Sequence, residues 1–353
     1  MMKIKVALLE RDVNYLNRLV MAFSTKYADK IEIHSFTNKE NALDSLERDK
    51  IDVFIIGEVF EIDIEQIPSR CGIAYFVDGM GIESVNEQKA VCKFQKAELI
   101  YKQILNIYAE KASTLTGKKI SESNVKNILF TSFSGGVGCS SLAAAYSAKL
   151  AINNKKVLYL NLEKMGNPEL FFQGEGQFNF SDVIYALKSK KANLAMKIES
   201  SVKTSAEGVN YFAAPKIALD MLELKVEEIS ELLDEIESCG YQYVVIDAGF
   251  YFDDMGKMLW EKADEVIVVS DGSEISNSKL ERAYNSITVI GEQDEKFRIE
   301  KANLIYNKFS NKTCKTVTGL DINEIGGIPK YEHATTKQVL SQIMSMSILD
   351  KII

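Results

Sequence analysis

The sequence contains only two histidines, His34 and His333, and no surplus of positive charge. Its 42 Lys and Arg against 50 Asp and Glu leave a net charge of −8. Two distant histidines do not furnish a His-rich metal centre or a Ser/His/Asp triad. A negative balance gives no bulk attraction to nucleic acid, leaving only a local basic patch to supply one. The five cysteines (71, 92, 139, 239 and 314) are odd in number, scattered and without metal-ligand spacing, which reads as reduced thiols in a cytosolic protein. No run of about 18 apolar residues is present, and the N-terminus lacks the apolar region of a signal peptide. A soluble, cytoplasmic protein is expected, with no internal repeat or low-complexity tract. What is there is ordinary for a globular chain: 353 residues, 46% hydrophobic and 26% charged, enough for two domains with sizeable cores.

The chain is organised around Thr131-Ser-Phe-Ser134-Gly135-Gly136-Val137-Gly138-Cys139-Ser140-Ser141. A short apolar strand from Asn127 precedes it, and an Ala-rich helix from Leu142 follows. Glycines let backbone N–H groups turn inward, and the helix start adds its positive dipole end, so the stretch predicts a phosphate-binding loop. Ser140 stands where such loops hold Mg²⁺. The usual pattern ends Gly-Lys-Ser/Thr, and here Cys139 replaces the lysine. The bland reading, a Gly-rich turn that binds nothing, stays open.

Further elements agree with the loop. Tyr243-Val-Val-Ile-Asp247 is an apolar strand ending in a carboxylate suited to a Mg²⁺ shell. The strand through Tyr159 ends in Asn161 and Glu163; an amide cannot act as a base, whereas Glu163 can hold a Mg²⁺-bound water. Ordinary strand-end polarity is the alternative for that pair. Asn303–Asn307-Lys308 reads as a further strand, and a capping role is the bland reading of the Asn307 amide at its end. Val226–Ile236 has helical apolar spacing with an acidic solvated face. The terminal helix, expected over Thr336–Ile353, carries no basic cluster; electrostatic membrane attachment is not expected, and packing on the domain is.

Residues 1–110 alternate strands and helices: Lys3–Glu10, Val13–Tyr27, Ile31–Phe36, Lys39–Arg48, Ile51–Ile56, Ile73–Val77, Ala90–Phe94 and Ala97–Ala109. This predicts a doubly wound parallel sheet. Order and length resemble the receiver domain of response regulators. The phosphoacceptor aspartate of that family is absent, its place taken by Gly57, and its acidic pair has become Glu10-Arg11-Asp12. Lys93 (or Lys96) matches the family's fifth-strand lysine, and Glu58 is a solvated loop carboxylate before it is a substitute acceptor. A degenerate receiver kept as a docking or dimerisation surface follows. Residues 111–126 are polar and rich in small residues, which suits a linker.

The loop resembles the deviant Walker A of the MinD/ParA ATPases, with both of its lysines lost, to Ser134 and Cys139. Tyr243–Asp247 resembles Walker B, Asn307-Lys308 the strand that meets adenine, and Pro329-Lys330 the segment that closes over it. The fold class is therefore expected to be α/β, with two doubly wound parallel-sheet domains. The first, 1–110, is receiver-like (flavodoxin-like), and the second, 127–353, is a P-loop NTPase of MinD/ParA type. A degenerate receiver joined to such a domain resembles the TadZ/CpaE family of Flp-type (tight adherence) pilus assembly. That resemblance implies ATP and Mg²⁺ as cofactors, with nucleotide at residues 135–141, Asn307, Lys308, Pro329 and Lys330 and metal at Ser140, Asp247 and Glu163. It also implies a homodimer through the ATPase domain, pilus or secretion proteins as partners, no nucleic acid, no membrane insertion, and work at the cell pole. The degenerate Ser134, Cys139 and Asn161 imply slow hydrolysis or none. The alternatives are an active ParA/MinD-type switch, a phosphorylated response regulator, and a scaffold whose loop is empty.

Overall fold

The computed structural model describes residues 3–111, 125–190 and 193–352. The expected linker falls largely on residues outside these. Two compact units result, one of Met1–Lys118 with Tyr185–Ser201, the other of Lys119–Ile184 with Val202–Ile353.

The first unit runs β1 (Ile4–Leu9), α1 (Val13–Lys26), β2 (Ile31–Phe36), α2 (Lys39–Arg48), β3 (Val53–Gly57), β4 (Gly72–Val77), β5 (Ser84–Val85), β6 (Gln88–Cys92) and α3 (Ala97–Lys111). Its sheet has the order β2-β1-β3-β4-β6-β5, parallel except for the short β5. This is the flavodoxin-like winding, as the sequence predicts. Alternation along β1 splits the core: Ile4, Val6 and Leu8 face α1 and α3, while Ala7 and Leu9 join Ala42 and Leu46 of α2 on the other side. Asp12 caps α1, accepting from the backbone N–H of Asn14 and Tyr15.

The second stretch of chain continues with β7 (Lys126–Thr131), α4 (Cys139–Ile152), β8 (Val157–Asn161), α5 (Phe180–Ser189), α6 (Leu194–Ser201), β9 (Val202–Thr204), β10 (Asn210–Phe212), α7 (Leu219–Leu222) and α8 (Val226–Glu237). It ends with β11 (Tyr243–Asp247), α9 (Asp254–Lys262), β12 (Glu265–Ser270), α10 (Glu274–Gly291), β13 (Ala302–Phe309), β14 (Asn323–Pro329) and α11 (Thr336–Met344). The eight-stranded sheet is ordered β14-β13-β12-β7-β11-β8-β10-β9, parallel except for β9. β7, the strand before the glycine-rich loop, lies between β11 and β12, and α4 is buried along Leu142–Ala148.

Two features differ from the sequence reading. Residues 185–201, expected within the second domain, cluster with the first unit, where α6 packs on α3. Lys197, only 2% exposed, donates to Glu110 at 2.8 Å, and Lys89 reaches the same carboxylate. Burial alone would raise the pKa of Glu110, and the two ammonium groups outweigh it, so the carboxyl is held below its ordinary value. The terminal helix is also shorter than the apolar spacing suggests. α11 packs on α4 and stops at Met344, and the chain then turns so that Leu349 and Ile352 tuck into the same core. Lys149 of α4 anchors this turn, donating to the Met346 carbonyl and pairing with Asp350, both at 2.7 Å.

Candidate functional site

The place where a receiver accepts phosphate is filled from within. Lys93 pairs with the buried Glu10 at 3.3 Å and with Asp78 at 2.7 Å. Glu10 also accepts from the backbone N–H of Arg11 and Asp12. A Cβ added at Gly57 would stand 3.0 Å from Glu10 Oε2 and 3.2 Å from the Leu9 carbonyl. Lys93, one of the two candidates for the family's fifth-strand lysine, is thus held by Glu10 and Asp78. Gly57→Asp, which restores an acceptor on paper, would force a second carboxylate against Glu10. It is expected to destabilise the first unit by about 2 kcal/mol in urea unfolding. Acetyl phosphate should label neither the parent nor the variant; a labelled parent would reinstate the response-regulator alternative.

The second unit holds the other site. β11 runs between β7 and β8, and its register sets Asp247 abreast of Phe130 on one side and Asn161 on the other. The carboxylate at the end of β11 therefore meets the loop that leaves β7. Asp247 is fully buried and collects three donors. The Ser140 hydroxyl donates to Oδ1 at 3.3 Å, while the Tyr159 hydroxyl at 2.6 Å and Asn161 Nδ2 at 2.8 Å donate to Oδ2. Burial, with the charge of Glu163 second, pushes the Asp247 carboxyl up to about 7 against the lowering effect of those three donors. Glu163 lies near enough for its charge to act on Asp247, but no direct bond joins them.

The loop itself is shaped by Gly136 (φ 77) and Gly138 (φ 86), both in the left-handed region. A Cβ at Gly135 or Gly136 would meet nothing within 4 Å, so backbone there borders open space. α4 starts at Cys139 with Gly138 as its cap and no side-chain hydrogen bond to its first N–H groups. The Ser134 hydroxyl is buried without a hydrogen-bond partner. An exposed turn of backbone, an uncapped helix start and an orphaned hydroxyl fit an anion. Ser140 and Asp247, both oxygen donors, fit a hard divalent cation. The Cys139 thiol is buried, and burial, then Asp247 and Glu163, raises its pKa well above the ordinary value, so it stays neutral.

β13 meets this loop from across the sheet. Asn307 Nδ2 donates to the Val137 carbonyl at 2.8 Å and to that of Gly138 at 3.4 Å. Lys308 Nζ donates to the Gly136 carbonyl at 2.7 Å. The amide that the resemblance gives to adenine thus braces the loop with its donor, and Asn161 braces Asp247. Pro329 ends β14 opposite Phe309 and borders a cavity of about 390 Å³ with Tyr306, Phe309 and Thr316. Lys330 lies outward, its nearest carboxylate Glu332 at 3.9 Å. Ser141 follows Ser140 in the first turn of α4. Tyr159 was missed from the sequence; two residues before Asn161 on a strand, it shares that residue's face, which was the available signal.

Residues 2–109 match the family model of the TadZ-like receiver domain, and residues 125–300 match that of the AAA domain. Among solved structures, the chain is similar to a ParA family ATPase from Chlorobium tepidum TLS. That match has 21% identity and a TM-score of 0.52, over 65% of this chain and 98% of that one. It is also similar to the MinC:MinD cell division protein complex of Aquifex aeolicus, at 20% identity and TM-score 0.50 over 64% and 93%. At such identities the likeness speaks for the fold. No curated protein matches the chain. Among the described residues no helix is long and apolar enough to cross a membrane. A TadZ-like receiver domain followed in one chain by an AAA domain with the fold of the ParA/MinD ATPases matches the architecture of the TadZ/CpaE family.

Proposed function

We propose that this chain is an ATP-binding localisation and scaffold protein for assembly of Flp-type pili at the cell pole. It acts as a homodimer joined through the ATPase domain, and it hydrolyses ATP slowly or not at all. The observation that carries this reading is the pairing of Ser140 with Asp247 beneath a loop whose two lysine positions hold Ser134 and a neutral Cys139. The exposed backbone at Gly135 and Gly136, with Val137 and Gly138 behind it, cradles phosphate. Ser140 and Asp247 hold Mg²⁺, with Glu163 acting through water. When bound there, Mg²⁺ would supply positive charge to offset that of the phosphates. Pro329 and Lys330 stand at the segment that closes toward the base.

Phosphoryl transfer depends on cations placed around the transferred group and on an oriented water. Here the loop contributes no lysine, and Asn161 spends its donor on Asp247. Binding therefore outlasts catalysis, and ATP acts as a dimer-stabilising ligand. The test is nucleotide content and turnover on one preparation. Purified protein is denatured, released nucleotide is identified, and phosphate release is then assayed with added Mg·ATP. Intact ATP with negligible turnover is expected. Turnover approaching about 1 s⁻¹, the low end of ordinary enzymes, would instead support an active switch.

A further inference from the structure

β13 does not finish as a regular strand. Tyr306 pairs with Gly327 and Phe309 with Pro329, so Asn307 and Lys308 together oppose the single residue Ile328. This is a bulge, the device that re-aims side chains at the end of a strand. Lys308 completes it with φ 56, a left-handed conformation that a lysine adopts at a cost and that sites under functional constraint retain. The result is a side chain carried over the glycine-rich loop. Nζ is 2.7 Å from the Gly136 carbonyl, and Cε would lie 3.3 Å from a Cβ at Gly138.

We propose that Lys308 is the phosphate-binding cation of this loop, delivered from the end of β13 in place of the lysines absent at 134 and 139. The assignment rests on the nucleotide-binding reading above. An ammonium has three donors; one is used on Gly136, which leaves two for phosphate oxygens beside the open backbone of Gly135 and Gly136. Among the described residues no carboxylate pairs with it, so its charge is uncommitted. Its neighbour in the bulge, Asn307, holds the Val137 carbonyl, so the same distortion fixes the loop and supplies its charge. The loop's missing cation thus comes from a different strand of the same chain.

The experiment is titration of Mg·ATP into the full chain and its Lys308→Gly and Lys308→Arg variants. Glycine adopts φ 56 without strain, so Lys308→Gly should unfold at the same temperature as the parent or higher. Its affinity for Mg·ATP should nevertheless fall about tenfold to a hundredfold, the worth of a hydrogen bond to a charged group. Lys308→Arg should retain most of the affinity, a rescue that a brace of backbone alone would not require. Adding Cys139→Lys to Lys308→Gly should recover part of the loss. If the parent binds Mg·ATP and Lys308→Gly binds within about twofold of it, the role assigned to Lys308 is overturned while nucleotide binding stands. If the parent takes up no Mg·ATP, both fall together.

Discussion

Asp247→Asn should cut Mg²⁺-dependent ATP binding by about a hundredfold or more while making the nucleotide-free protein more stable at neutral pH. Both effects come from one buried carboxylate. In the unfolded chain Asp247 ionises near the ordinary value of 3.8; in the folded chain burial and Glu163 raise it to about 7. Below about pH 3 the group is protonated in both states and contributes nothing to the difference. Between the two values the folded state keeps a proton that the unfolded state releases, so stability falls as pH rises and levels off above about 7. The span corresponds to a loss on the order of 4 kcal/mol. Asparagine cannot ionise, and that slope should vanish. Thermal unfolding of parent and variant from pH 5 to 8 is the check: the gap between them should widen toward pH 7 and then hold. Should the gap stay constant, Asp247 does not carry the strain assigned to it. Unchanged Mg·ATP affinity would remove it from the metal site.

Gly138→Ala carries the second large expected effect, with Gly135→Ala as its counterpart. A Cβ at 138 would lie 2.4 Å from Asn307 Nδ2, and φ 86 disfavours any side chain there. Asn307 must move away, leaving the Val137 and Gly138 carbonyls without the amide that binds them. Left-handed backbone and a lost buried bond together should cost about 2–4 kcal/mol in urea unfolding of the second unit. At Gly135 the added methyl meets nothing within 4 Å. That variant should keep its stability to within about 0.5 kcal/mol, yet bind Mg·ATP weakly because the methyl occupies the space for phosphate. If both variants unfold like the parent, Asn307 does not brace the loop. If Gly135→Ala binds like the parent, phosphate sits elsewhere.

Much of this could be read in the chain beforehand because it is written in local chemistry. Glycines between an apolar strand and an Ala-rich helix announce the loop, and Val244-Val-Ile-Asp247 announces a buried strand with a carboxylate at its tip. Gly57 announces the missing phosphoacceptor. What escaped reading was set by tertiary register. Tyr159 looks like one more core aromatic until β8 and β11 are paired and its hydroxyl falls on Asp247. Nothing in Asn307-Lys308 announces a bulge, since the positive φ of a lysine is imposed by the strands around it. Apolar spacing overextended the terminal helix because Leu349 and Ile352 reach the same core through a turn as they would through a continued helix. The short helix Leu194–Ser201 and its seat on α3 are likewise set by tertiary packing rather than by a local pattern.

That last helix bears on how the protein can change over generations. A receiver and an ATPase joined end to end could be separated, exchanged or lost by a single break in the gene. Here a piece of the first unit, Tyr185–Ser201, is encoded inside the second. A break anywhere between the halves would strip α3 of α6 and strand Glu110 without the Lys197 ammonium that compensates its burial. The two halves are therefore inherited as one indivisible part, which gives a receiver stripped of its phosphorylation chemistry a reason to persist.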